Sequence, residues 1–540
     1  MAFLKHGLFS GMALAASLAC FQASAQQTDS IFSDMDIVVQ KDARITGINP
    51  AGLQYLSVKK ISTAALQFNK SDGGFRNYYM SDNSFSWGAS TEAYQRLQPR
   101  TVLYGKIAYN NFTGKNMGGS AFIDPYKNPF NIVENADTTA GTKKLEQYTL
   151  TGAVSTALSS RLNIGAKLDF NAANYAKTKD LRHTNKLLDM QTSAGFQYNI
   201  SRRIQAGLAY RYTRRIESVI FKIYGNTDRQ YLSLIDFGAF YGRVELFTDA
   251  VGTTYTDASN NMPLVNNTHT GSLQLTVQLT PSLRWHNEFS YSSRKGHYGK
   301  KGTSYAVLTE HDAEAYEYSG TLSFAQNNDL HNLQVKTSFE TLHNYENIFN
   351  RVTNSSGASS IVYYGQNEML LQYNTTVGMV YTFNKNIDHN NPAWVFGAFA
   401  NYLNRDMTTT LYPYYRNQDI NSYTAGLSAG KNITRQKKMY GISLGIAYGS
   451  GSGAAKNDAV YAPPASSQQP PRSRDTYLYQ EYEYLTSSRI HINPAVQLDI
   501  PVYTGINGYV KLGYAFTKAF NTTYLSSTYG SLNLAIGCNF

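Results

Sequence analysis

The sequence predicts an all-β fold: a transmembrane antiparallel β-barrel of about 18 strands (16–20) with long extracellular loops and short periplasmic turns. Three observations predict it. Apolar and polar residues alternate through segments of about ten residues, the connections between segments alternate short and long, and the 540 residues include 43 Tyr and 26 Phe with only 16% charged side chains. Mean hydropathy is −0.38. That excludes a polytopic helical membrane protein, because each helical crossing needs about 20 apolar residues. The wealth of aromatics excludes a disordered chain.

At the N-terminus, residues 1–25 read as a secretory signal peptide. Lys5 and His6 make its basic start, residues 8–18 its apolar core, and Ala23-Ser24-Ala25 a cleavage site that cuts near Ala25. Residues 26–60 then form a periplasmic N-terminal segment and residues 61–540 the barrel. Cleavage removes Cys20 and leaves Cys538, so no internal disulfide is expected. The net charge of +11 is spread along the chain with no run of five bases. That spread argues against a nucleic-acid partner.

Alternation carries the strand assignment, since successive side chains of a strand point to opposite faces. At the C-terminus Leu532, Leu534, Ile536, Cys538 and Phe540 oppose Ser531, Asn533, Ala535, Gly537 and Asn539. Between 440 and 448, Tyr440, Ile442, Leu444, Ile446 and Tyr448 oppose Gly441, Ser443, Gly445 and Ala447. Strands are expected near 61–69, 84–95, 101–111, 145–157, 162–172, 187–199, 203–215, 270–280 and 283–293. The series continues near 314–325, 331–341, 370–383, 393–403, 421–431, 438–449, 487–499, 507–517 and 530–540. Segments 236–248 and 305–309 read as loop hairpins or further strands. Short turns are expected at 159–161, 201–202, 280–282 and 327–328, and long polar loops at 113–144, 222–268, 343–370 and 449–484. Tyr at strand ends suits the aromatic girdles of a membrane barrel. Pro494 conflicts with an unbroken strand, because it cannot donate a ladder hydrogen bond. Either a bulge, a local opening or two shorter strands must resolve it.

Strand parity sets a lumen-facing group: Lys167, Asp169, Arg211, Arg284, His286, Glu288, Lys336, Glu340, Arg489, His491, Asp499 and Lys511. Opposed charges across a lumen can orient and select polar solutes. Aromatic loop tips, with Tyr412, Tyr414, Tyr415, Tyr477, Tyr479 and Tyr482 as contact candidates, suit a glycan or a protein partner. No catalytic, cofactor or metal site is expected. G-x-S-x-G, Walker and H-E-x-x-H patterns are absent, and the nearest approach to a metal cluster, His297, His311, Asp312 and Glu314, lacks ligand spacing.

The signal peptide, the repeated strands and the ending Leu534-Ala535-Ile536-Gly537-Cys538-Asn539-Phe540 together resemble Gram-negative outer-membrane β-barrel proteins. The resemblance implies an outer-membrane location, with Phe540 as the terminal signal read by the barrel-assembly machinery. Asn49-Pro50-Ala51-Gly52-Leu53 resembles the NPAGL element of the long-chain fatty-acid transporter barrels, where it follows a Gly-rich hatch that fills the lumen. Here residues 26–48 contain one glycine, Gly47, so no hatch of that composition is expected. The whole chain is similar to uncharacterised outer-membrane barrels of the Bacteroidetes type. Barrels of 16–18 strands leave an aqueous lumen, so the expected function is a channel or uptake porin for small solutes rather than an enzyme. The alternative is a surface barrel acting as an adhesin or as an accessory subunit of an outer-membrane uptake complex. Expected partners are outer-membrane lipid, the assembly machinery, a small solute, and a surface protein or glycan.

Overall fold

A computed structural model describes residues 33–540 apart from 226–227, 249–251, 259, 304 and 354. The signal-peptide assignment and its cleavage site lie outside the described residues. In chain order the first strands are β1 (Lys60–Gly73), β2 (Asn83–Gln98), β3 (Thr101–Met117), β4 (Asn131–Glu134), β5 (Gly141–Ala157) and β6 (Leu162–Lys177). Next come β7 (Arg182–Asn199), β8 (Ile204–Lys222), β9 (Leu232–Asp236), β10 (Tyr241–Leu246), β11 (Met262–Thr280) and β12 (Leu283–Gly299). Then follow β13 (Val307–Gln326), β14 (Asp329–Thr353), β15 (Ser359–Asp388), β16 (Asn391–Leu411) and β17 (Tyr414–Arg435). The last are β18 (Lys438–Val460), β19 (Arg472–Ser473), β20 (Arg489–Tyr503), β21 (Ile506–Ala519) and β22 (Thr528–Asn539).

All but β4, β9, β10 and β19 form one antiparallel meander of 18 strands. β1 closes on β22 from Thr63↔Asn539 to Gly73↔Tyr529, so the sheet has no edge. Closure is what allows a sheet to sit in hydrocarbon, because every backbone group in the wall finds a partner within the wall. Side chains then sort by parity. Leu273, Leu427, Ile442 and Val496 stand outward and 51–69% exposed, while small and polar residues line the lumen.

All 18 strands lie where alternation placed them, and the expected short turns all fall at one end, the turn end. The strands outlast the alternation at the other, loop end. Residues 343–370 are no loop there. β14 and β15 continue as a two-stranded ladder to Thr353↔Ser359, and with lipid on neither face that stretch has no reason to alternate. Segment 236–248 contributes β10, and 305–309 supplies the start of β13. Pro494 keeps its place in one strand by a local opening: its pairing with Leu444 of β18 holds, but the ladder to β21 skips from Ile492↔Phe516 to Ala495↔Gly513.

The three longest loops turn inward. β4, β9, β10 and β19 come from three different loops and join as a second sheet, ordered β19-β10-β9-β4. Helix α2 (Asp475–Thr486) lies beside it. One apolar cluster gathers Phe122, Phe130, Ile235, Phe237, Tyr255 and Tyr298. A second packs Leu234, Phe240 and Tyr477 on wall residues Leu342, Leu370 and Met407. These loops enter the lumen at the loop end, and residues 33–59, including helix α1 (Met35–Gln40), lie inside the barrel at the turn end.

Parity has a direct test. Leu427→Arg sets a charge on the lipid face and should cost about 2–4 kcal/mol of folding free energy into bilayers. Ser443→Arg, on the lumen face, should cost much less. Urea titration of refolding into vesicles reads both.

Candidate functional site

The N-terminal segment is a chain of caps. Asp34 caps α1 by accepting from Asp36 N at 2.8 Å. Asp42 accepts from Arg44 N at 3.2 Å at the head of the next turn. Asn49 accepts from Ala51 N at 3.0 Å and so starts the 3₁₀ turn Pro50–Tyr55, with proline in the first position where no donor is needed. The Asn49 amide also donates to the wall carbonyl of Phe196 at 2.9 Å.

Such close approach requires glycine on the wall. A Cβ on Gly165 would lie 2.5 Å from Ala51 N, and one on Gly195 would lie 2.5 Å from Asn49 Oδ1. Further contacts are polar. Gln54 donates to Ser155 O at 2.7 Å, Ser155 Oγ donates to Ala51 O at 3.1 Å, and Ile48 N donates to the Glu288 carboxylate at 3.1 Å. Asp42 pairs with Arg44 and, from the wall, with Arg284. Burial alone would raise the Asp42 carboxyl, but the hydrogen bonds and charge of Arg44, with Arg284 beside it, hold it below the usual carboxylate range. Arg44 in turn lies 3.2 Å over the Tyr55 ring. A modest apolar cluster of Val38, Ile45, Leu53, Leu56, Ile61, Tyr94 and Val102 completes the seat. At its other end the segment reaches the β15–β16 turn, where Asp34 N donates to Asn390 O at 3.2 Å. Asn332 Nδ2 donates to Gln40 O at 3.1 Å nearby. The segment therefore spans the lumen from wall to wall.

Against this segment lies a polar chamber of about 750 Å³ whose lining includes Asp34, Asp36, Glu92, Tyr94, Tyr104, Lys106, Lys167, Gln497, Asp499, Tyr509 and Lys511. Lys106 pairs with Glu92 at 3.0 Å and Lys167 with Asp169 at 3.0 Å. A second cavity of about 390 Å³ shares Gln67, Lys511 and Ala535 with it. A third, of about 410 Å³, lies under the loop-built sheet. There burial, with Glu481 nearby, pushes the Asp236 carboxyl up to about 7, against the donors Gly238 N and Tyr241 N.

The residues chosen by parity separate into roles. Lys167, Asp499 and Lys511 line the chamber, and Arg284 and Glu288 hold the N-terminal segment. His286 meets Thr276 at 2.8 Å and His491 meets Thr517 at 2.8 Å. Arg489 donates to Leu485 O at 3.2 Å and Ser487 O at 3.1 Å, tying down the end of α2. Glu340 lines the third cavity, 3.6 Å from Arg294. Arg211 and Lys336 share the inward face of β8 and β14 with these groups. Phe540 pairs by its backbone with Ser62 at the closure seam, and Lys60 lies 5.2 Å over its ring.

Among the loop tyrosines only Tyr412, 68% exposed, stands free at a tip. Tyr414 donates to Gln468 O at 3.3 Å, Tyr415 packs tilted against Tyr461, Tyr479 stacks on Tyr524, and Tyr482 donates to Gly453 O at 2.8 Å. Tyr477 is not a surface contact. It is buried with Leu478 and Glu481 on one side of α2, against Tyr78 and Phe240. That 477–478–481 spacing was the available signal for a helix in a stretch otherwise read as loop. His297, Asp312 and Glu314 face outward while His311 faces inward, bonded to Asn266, and no metal-ligand trio exists among the described residues. Tyr126, Arg405 and Glu481, joined under the sheet, carried no sequence signal, because each stands singly in its segment.

The profile of a family of unknown function (DUF6850) matches residues 50–540. The chain belongs to that family. No curated protein matches it by sequence. Among solved structures it is similar to the RagAB peptide transporter, at 7% identity over 89% of this chain and 86% of that one, with a TM-score of 0.41. It is also similar to the siderophore receptor PiuA from Acinetobacter baumannii (10% identity, 88% and 82% covered, TM-score 0.36). A deltaS2S3 mutant of the TodX monoaromatic hydrocarbon channel is a third (11%, 92% and 93%, TM-score 0.32). Scores this low carry neither substrate nor partner across. None of these comparisons confirms the likeness of residues 49–53 to the fatty-acid transporters. The closed 18-strand wall with its outward apolar belt is itself the architecture of an outer-membrane barrel.

The seat of the segment is testable. Asn49→Ala removes a cap and the side-chain tie to the wall carbonyl of Phe196, so it should cost about 1–2 kcal/mol. Hydrogen exchange at residues 43–56 should rise accordingly. The Asp42 carboxyl is depressed, so its contribution is present above the unfolded value of about 3.9 and is lost as pH falls through that value and below. Intrinsic-rate-corrected exchange over the same residues should rise below about pH 4 in the wild type, and at pH 7 in Asp42→Asn.

Proposed function

We propose that this protein is a gated outer-membrane uptake barrel for small polar solutes, with residues 33–58 as its periplasmic gate. One observation carries the reading: a polar chamber of about 750 Å³ lies in the lumen, closed off by a segment that holds the wall mainly through exchangeable polar contacts. The lining suits neutral or zwitterionic solutes. Lys106 and Lys167 already have carboxylate partners, so neither sign of charge dominates, while Tyr94, Tyr104 and Tyr509 add ring faces. Lining charges of both signs give such a solute a field in which to orient.

In planar bilayers the wild-type protein should show little steady conductance. Removal of residues 33–58 should raise it several-fold, and Asp42→Asn should give flickering openings. Swelling of liposomes in sugars and amino acids should follow the same order. An unchanged conductance in the folded deletion variant would refute the gate. Absence of swelling with every solute would refute uptake.

A further inference from the structure

We propose that the third cavity, beneath the loop-built sheet, is a recognition site for a neutral saccharide of one or two sugar units. This names a solute class for the uptake reading and rests on it for its role in the cell. The cavity of about 410 Å³ falls in the usual range for small-ligand sites. It lies between the underside of the sheet and the inner wall of β14, β15 and β16.

On the sheet side stands Tyr126, a residue 44% exposed although its hydroxyl is fixed and one ring edge is packed. The hydroxyl donates to Glu481 Oε1 at 2.7 Å and accepts from Asn77 Nδ2 at 2.6 Å. The Arg405 guanidinium lies 5.7 Å from the ring centroid, and Tyr79 meets the ring edge-on at 5.7 Å. Glu481 and Arg405 pair at 3.0 Å, each less than a tenth exposed. The ring is thus locked in orientation by a buried network and still presents open aromatic surface.

Facing it, Ser338, Gln372, Asn374 and Thr376 line the wall, and none has a side-chain hydrogen bond to another described residue. Two hydroxyls and two amides both donate and accept without charge. The nearby charges are committed, Arg405 to Glu481, Glu340 to Arg294, and the Asp236 carboxyl to the backbone donors Gly238 N and Tyr241 N. A charged solute would find no free counter-charge among these groups, and an apolar one would leave the polar wall unmet. A pyranose has both halves of the match: a C–H face for the ring and hydroxyls for the wall.

Calorimetric titration of the purified full chain, folded in detergent, tests the site with maltose, cellobiose and lactose as probes and with dialanine as control. At least one disaccharide should bind saturably, and Tyr126→Ala should weaken it at least about tenfold. Tyr126→Trp should retain binding. Because Tyr126→Ala also removes one hydrogen bond to Glu481, the paired Gln372→Ala/Asn374→Ala variant, which breaks no internal bond, should show a loss of similar size. Failure of all three sugars to bind the folded wild type overturns the site. So does binding that survives both losses, or tighter binding of dialanine. Liposome swelling separates this from the uptake reading. Binding without uptake sinks the transport role and keeps the site, whereas uptake without sugar binding does the reverse.

Discussion

An unpaired amide or carbonyl in hydrocarbon costs several kcal/mol, and the pairing of β1 with β22 is where this chain meets that demand. Without the Thr63↔Asn539 to Gly73↔Tyr529 ladder two strand edges would face lipid. With it, the sheet must close at 18 strands, and a barrel that wide cannot be filled by side chains from its own wall. The chain fills it from its two reserves of non-barrel sequence, the N-terminal segment and the long loops. Lumen-facing residues are small where these enter: Gly165 and Gly195 admit the Asn49 turn. Space remains beside the filling, and the chambers are that space.

What the sequence made legible follows from which surfaces lipid touches. Lipid imposes alternation, so all 18 strands could be read, together with the parity that set Lys167, Asp499 and Lys511 at the chamber. The second sheet left no such trace. Val133, Leu234 and Ile235 are buried on both faces, so their strands read as short apolar runs within polar loops. The extension of β14 and β15 meets water and loop, and so lost its period. The docking of residues 49–53 was hidden for a different reason. Its counterparts are glycines more than a hundred residues away, which have no side chain to announce a contact. The glycine-poor composition of 26–48 suggested no glycine-rich hatch, yet capped helical turns with only Gly47 and Gly52 occupy that end of the lumen.

The two fillings differ in how they are held. At the loop end, Phe122, Phe130, Phe237, Tyr255 and Tyr298 are each at most 3% exposed. Burial of one such side chain stabilises by roughly 1.5–3 kcal/mol, and two loops and wall strand β12 share the cluster, so neither loop leaves alone. At the turn end, Asn49, Gln54, Ile48 N and Asp42 meet the wall through hydrogen bonds and ion pairs that water can replace. Each is worth a net of about 0.5–1.5 kcal/mol, beside a smaller apolar cluster. The segment runs into the wall through β1, and its hydrogen bonds among the described residues go to the wall and the turns, not to the loop-built sheet. In the proposed gate the turn end therefore opens first, while the apolar cluster holds the loop-end sheet and with it the shape of the Tyr126 cavity.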